Sequence, residues 1–137
     1  MQSAIDRVLV ETERHLSTYN DTSEIALLNR DESRSWQDVS PTLYVVLREA
    51  HDVSELTGGS FDVTVAPLLK LWGYEPGRVG ASGRTTFNPP SSGQLERTRM
   101  SVGYAKLELR GAPRMSARKS ASGMEPVSYT HLTLPTN

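Results

Sequence analysis

Apolar residues fall at helical spacing in two stretches of this chain and alternate in one short stretch. Ile5, Val8, Leu9, Thr12 and Leu16 recur every three or four positions, with Asp6, Arg7, Glu11, Glu13 and Arg14 between them. That pattern predicts a helix over residues 3–16 with one buried stripe. The polar run STYNDTSE follows, and Ser23 is placed to cap a short helix over EIALLN. RDESRSWQD reads as a loop with a short extended piece near Trp36. The second long pattern is Leu43, Val46, Leu47, Ala50, Val53 and Leu56. Ser40 is its N-cap candidate, and Pro41 suits the first helical position, where its missing N–H costs nothing. Gly58 or Gly59 supplies the left-handed residue that ends it, so a helix over residues 41–57 is expected. Residues 75–93 are rich in Gly, Pro and Ser and read as a long surface loop. SSGQLERTRMSVG predicts a short helix closed by Gly103, and KLELR alternates as a strand with one buried face. Beyond Gly111 the periodicity decays, and little there is expected to form a core.

Composition narrows the function more than the fold. The 137 residues suit one domain with a modest core. Fifteen basic residues against sixteen acidic ones give a net charge of −1, which offers no electrostatic case for nucleic acid or an anionic membrane. A hydrophobic fraction of 36% predicts a thin reserve of apolar burial. The absence of cysteine excludes disulfides, thiolate catalysis and zinc–thiolate sites. No apolar run approaches the roughly 18–20 residues that span a bilayer. The N-terminal pattern is that of an amphipathic helix and lacks the continuous apolar core of a signal peptide.

Candidate chemistry is sparse. There is no GxxxxGK[ST], no GxGxxG after a strand and no HExxH. The Gly-rich GRVGASG lacks a following lysine and helix, so it reads as a plain flexible loop. His15, His51 and His131 are scattered, and no two have ligand spacing; helix-surface or helix-edge roles account for His15 and His51. TGGSFDVTVAPLLKLWGY is the exception. An ordinary core strand would not place Asp62 among Phe61, Val63, Val65, Leu68 and Leu69. A carboxylate there can cap backbone N–H groups of the next turn, pair with a cation, or accept hydrogen bonds from a ligand. The residues alone favour capping. Gly58 and Gly59 also permit close approach of the backbone to another surface, so a ligand role stays open. Trp72 and Tyr74 at the far end read as core or loop anchors rather than stacking platforms.

The order of these segments carries a resemblance. An STY triplet, then DTSEI ending in LN, a VSP that opens a helix, SELTGGSFDVTVAPL, LWG, a Pro-rich loop and VGY before an alternating strand together resemble the N-terminal half of the ApbE family. Each piece alone would be weak, whereas the ordered set is specific and runs from residue 5 to about 125. Ala66 stands where the family typically has Gly, a mild departure. The resemblance implies a mixed α+β domain of the T-fold-like ApbE class, within the α/β class broadly. It implies an enzyme that cleaves the pyrophosphate of FAD, transfers FMN to a Ser or Thr hydroxyl of a target protein, and requires Mg²⁺. Tyr19, Ser60, Phe61 and Asp62 occupy the matching cofactor-binding positions. No catalytic residue and no metal ligand is assigned within this chain. Partners so implied are FAD and a target protein such as a subunit of a respiratory sodium pump. The parent is expected to be bacterial, periplasmic or an inner-membrane lipoprotein.

The resemblance also sets expected limits. Residues 1–125 match the first part of such a domain, and the family's later nucleotide-binding and metal-binding segments have no counterpart. PVSYTHLTLPTN, residues 126–137, does not resemble the family and looks like vector read-through, so a non-native tail is expected. A chain cut in this way would be inactive alone, would expose apolar faces meant for the missing half, and would be marginally stable. The competing readings are a non-catalytic flavin-binding module and a helical protein-interaction module.

Overall fold

The computed structural model describes residues 2–73 and 89–126. Helix α1 spans Gln2–Leu16 and α2 spans Glu24–Arg30. Strand β1 is Gln37–Asp38, followed by the long helix α3, Pro41–Leu56. A short helix α4, Ala66–Leu71, precedes α5, Ser92–Arg99. A 3₁₀ turn, Tyr104–Lys106, then leads into β2, Leu107–Arg110, and β3, Ser116–Lys119. The described strands form one antiparallel sheet in the order β1-β3-β2, so the last of them in sequence is the middle one. This is a mixed helix-and-sheet architecture, as expected.

Local signals account for the helix starts. The Ser23 and Ser40 hydroxyls accept hydrogen bonds from the Ala26 and Leu43 N–H groups, satisfying donors that the first turns leave orphaned. Ser91 and Gln94 close a full capping box on α5. A polar knot ties three of these elements together. The Glu24 carboxylate accepts from the Ser40 N–H at 2.5 Å and from the Ser40 hydroxyl at 2.6 Å, and lies 2.7 Å from His15 Nδ1. Burial pushes the Glu24 carboxyl up, but the Ser40 hydroxyl and N–H and the His15 ring outweigh it and hold it below its ordinary value.

The core is built from one face of α2, one face of α3 and the inner face of the sheet. Ile25, Leu28, Leu43, Leu47, Val63, Leu107, Ala117 and Met124 form one buried cluster. The inward line of α3 is Leu43, Leu47, Ala50 and Ser54, while Val53 and Leu56 are exposed. The predicted stripe is thus rotated at its C-terminal end. Ser54 is the residue turned inward because its hydroxyl donates to the Ala50 carbonyl and accepts from the Val63 N–H.

Two expectations are corrected. Helix α1 forms over the predicted span, but Ile5, Val8 and Leu9 are at least half exposed and only Leu16 packs against the core. Periodicity reports that a helix has an apolar face; it does not supply what covers that face. Second, the region beyond Gly111 is not structurally empty. Ser116–Lys119 is the central strand, and Met124 is fully buried. Its SARK sequence hides the role, because the inward positions are held by a small residue and a lysine. Lys119 buries its stem and donates its ammonium to the Asn29 carbonyl at 2.7 Å, and burial holds that ammonium below its ordinary pKa. The apolar run after Asp62, to which the sequence pattern assigned no element, forms helix α4, with Pro67 in the first turn where a missing N–H is tolerated.

Two sequence expectations fall on other ground. Most of the Gly/Pro-rich loop, GRVGASG included, lies outside the described residues. Of residues 126–137 only Pro126 is described; it is buried and accepts a hydrogen bond from the Asn29 side chain.

Candidate functional site

The glycine turn after α3 is assembled by its own backbone. Gly58 and Gly59 take φ of 58° and 82°, a left-handed pair that reverses the chain. The Gly58 N–H donates to the Glu55 carbonyl and the Gly59 N–H to the Ser54 carbonyl, closing the end of the helix. Thr57 then holds the next two residues. Its carbonyl accepts from the Ser60 N–H and its hydroxyl accepts from the Phe61 N–H, each at 3.1 Å. Ser60 and Phe61 are left exposed at the tip.

Asp62 closes the turn. Its Oδ1 accepts from the Thr64 N–H at 2.8 Å and from the Thr64 hydroxyl at 2.6 Å, the geometry of an Asx turn. Its Oδ2 accepts from the Tyr104 N–H at 3.0 Å. The Thr64 hydroxyl in turn accepts from the Gly103 N–H at 2.8 Å. Two successive N–H groups of the VGY segment, about forty residues away in sequence, are therefore captured by one Asp–Thr pair. Gly103 has φ of 137°, a conformation that favours glycine. The Tyr104 ring packs 3.6 Å from where a Cβ at Gly59 would sit, and meets His51 edge-on at 5.5 Å. The capping role expected for Asp62 is thus present, and it reaches a distant segment as well as its own turn. The cation-pairing alternative has no counterpart among its described partners.

Ser60, Phe61 and Asp62 are contiguous on this turn. Tyr19 stands in a separate turn after α1, where the Ser17 hydroxyl accepts from the Tyr19 and Asn20 N–H groups. The residue is 60% exposed. Sequence reasoning missed Thr64 and Tyr104. The only available sign was the T in FDVT, two positions after the aspartate, which is the spacing of an Asx turn.

A concave region lies apart from these residues. A cleft of about 590 Å³ opens between α3 and β2, lined by Arg48, His51, Asp52, Glu55, Glu108 and Arg110 among others. None of the four sequence-predicted residues lines it. His51, Asp52 and Glu55 bring potential ligand atoms within 4.8 Å of one another. Arg48 Nε, however, holds both oxygens of Asp52, at 3.1 and 3.0 Å. Two further charged residues of the lining, Glu108 and Arg110, are engaged by neighbouring side chains. Arg110 stacks on Trp36 at 3.8 Å, and Arg118 binds Glu108 through two nitrogens.

Comparison with known proteins agrees with the order of segments. An FAD:protein FMN transferase of Vibrio cholerae is 41% identical over 76 residues, covering 56% of this chain and 23% of the relative. One from Haemophilus influenzae is 29% identical over 106 residues, covering 77% of this chain and 29% of the relative. The solved flavin transferase ApbE from Vibrio cholerae superposes with a TM-score of 0.77 at 31% identity, over 92% of this chain and 38% of that one. The chain therefore spans well under half the length of the relatives it matches. The ApbE family pattern itself matches residues 1–125, and the chain belongs to the ApbE family.

Proposed function

We propose that this chain is the N-terminal part of an FAD:protein FMN transferase and that the glycine turn is one wall of its FAD site. The observation that carries the reading is the locked meeting of the TGGSFD and VGY segments, which leaves Ser60 and Phe61 exposed on a rigid edge. Ligand sites favour such irregular junctions held by rigid elements. Phe61 offers an aromatic face and Ser60 a hydroxyl. Asp62 keeps acceptor capacity on Oδ2, and Tyr19 adds a second aromatic.

In the reaction so proposed, a Ser or Thr hydroxyl of the target attacks the FMN phosphorus of FAD. The pyrophosphate P–O bond breaks, AMP leaves, and the hydroxyl proton is lost. Magnesium would neutralise the pyrophosphate. The described residues do not fit it: Asp62 has no second carboxylate among its described partners, and Asp52 is held by Arg48. No metal-dependent step is assigned to them, and the 137-residue chain is expected to be inactive alone. The target class, respiratory sodium-pump subunits among them, and a bacterial periplasmic or lipoprotein setting belong to the same proposal.

The test is flavin fluorescence on titrating FAD with the purified chain and with Phe61→Ala. Quenching that weakens in the variant supports the site; no quenching at roughly tens of micromolar sinks it. Genomic DNA across codons 120–137 tests the tail, since an open frame continuing past Glu125 in family-like sequence supports read-through and a native stop after Asn137 removes it. The exposed face of α1 favours a second reading, a helical interaction module without ligand. That reading requires a cooperative melt of the isolated chain together with no FAD response.

A further inference from the structure

We infer that Thr64 is a positioning residue for the flavin edge, acting through a clasp that joins the glycine turn to the VGY segment; this rests on the reading above. Thr64 is fully buried and exposes nothing to a ligand. Its hydroxyl nonetheless bridges two segments, donating to Asp62 Oδ1 at 2.6 Å and accepting from the Gly103 N–H at 2.8 Å. Asp62 Oδ2 takes the next N–H, that of Tyr104, at 3.0 Å. The pair therefore fixes the direction of two consecutive peptide groups, and the Tyr104 ring is carried against Gly59. The bare Gly59 backbone lets that ring come close, and the His51 edge contact holds it from the other side. Ser60 and Phe61 lie between the two anchored points, Gly59 under the ring and Asp62 in the clasp. Among the described residues, their N–H groups bond only to Thr57. Release of the clasp frees one end of that short span.

The chemistry of Thr64 is specific. Valine matches its shape but neither donates nor accepts, so it would leave the Gly103 N–H unpaired beside a carboxylate that has lost a donor. Serine keeps both functions. The full 137-residue chain is compared with Thr64→Val and Thr64→Ser by residue-resolved amide hydrogen exchange and by FAD titration. Thr64→Val is expected to speed exchange at Gly103, Tyr104, Ser60 and Phe61 by roughly tenfold, with Leu43 and Leu47 still protected, and to weaken FAD binding by a similar factor. Thr64→Ser is expected to restore both. Unchanged exchange at Ser60 and Phe61 in Thr64→Val, or no recovery in Thr64→Ser, overturns the clasp. If Thr64→Val also loses protection at Leu43 and Leu47, Asp62→Asn decides. It leaves an oxygen for Thr64 but turns an NH₂ toward the Tyr104 N–H, so exchange must rise at Tyr104 and Phe61 together; a rise at Tyr104 alone overturns the proposal. The flavin arm separates the two readings. No FAD response in the unsubstituted chain sinks the flavin reading, with the clasp still judged by exchange. Full FAD affinity in Thr64→Val despite faster exchange sinks the positioning role and leaves the flavin reading standing.

Discussion

Helices α1 and α3 carry the same kind of apolar repeat and meet different fates. On α3, Leu43 and Leu47 are sealed against the sheet, and Ser54 is buried where it holds the next segment. On α1, Ile5, Val8 and Leu9 face outward, and only Leu16 at the far end joins the core. The difference teaches that amphipathicity is a property of the helix, whereas burial belongs to the pair of surfaces. Helix α3 also has a capped start and a glycine stop that fix its register, so its face is presented at a set angle. Helix α1 is anchored mainly at its C-terminal end, through Leu16 and the contact of His15 with Glu24.

Substitution can break or sharpen this contrast, beginning with the largest effect. Leu43→Ala empties a fully buried position on α3 and should cost about 2–5 kcal/mol in urea unfolding. Ser54→Ala leaves the buried Val63 N–H without its acceptor and should cost about 1–3 kcal/mol; early loss of amide protection at Val63 would locate the damage. Ser40→Ala removes the α3 cap and a Glu24 partner and should cost about 1–2 kcal/mol, read from the shift in midpoint.

The polar knot has its own pH dependence. The Glu24 carboxyl is held below its ordinary value of 4.5, so its stabilisation is fully present above that value. It is lost as pH falls through the lowered folded pKa. Unfolding midpoints measured from pH 7 downward should therefore drop below about pH 4.5, and Glu24→Gln should flatten that drop while lowering stability at neutral pH. The smallest effect is the matching change on the exposed helix. Leu9→Ala should alter stability by no more than about 0.5 kcal/mol. A loss as large as that of Leu43→Ala would show that the α1 face is covered in solution and would erase the contrast.

The readable parts of the sequence were those whose signals act over a few residues. Ser23 and Ser40 were the N-cap candidates, and each caps. Gly58 and Gly59 take the left-handed angles that their positions suggested, whereas Gly103 does not close α5, which ends at Arg99, but leads into the 3₁₀ turn. The ordered motifs led to the right family. Central strand β3 was not readable, because its inward positions are Ala117 and Lys119 and its stability comes from two neighbouring strands. Thr64 was not readable either, since its partner Gly103 is remote in sequence.

The sequence by itself placed helices α1, α2 and α3 and their caps, marked which positions could be apolar faces, and favoured a capping role for Asp62. Only the tertiary structure decided which apolar face was sealed, that SARK lies between two strands, and that the Asp62–Thr64 pair grips Gly103 and Tyr104. The physical reason is range. Caps, glycine angles and helical periodicity are satisfied within a turn or two of chain, while burial, sheet order and the clasp exist only once segments separated by dozens of residues share one surface.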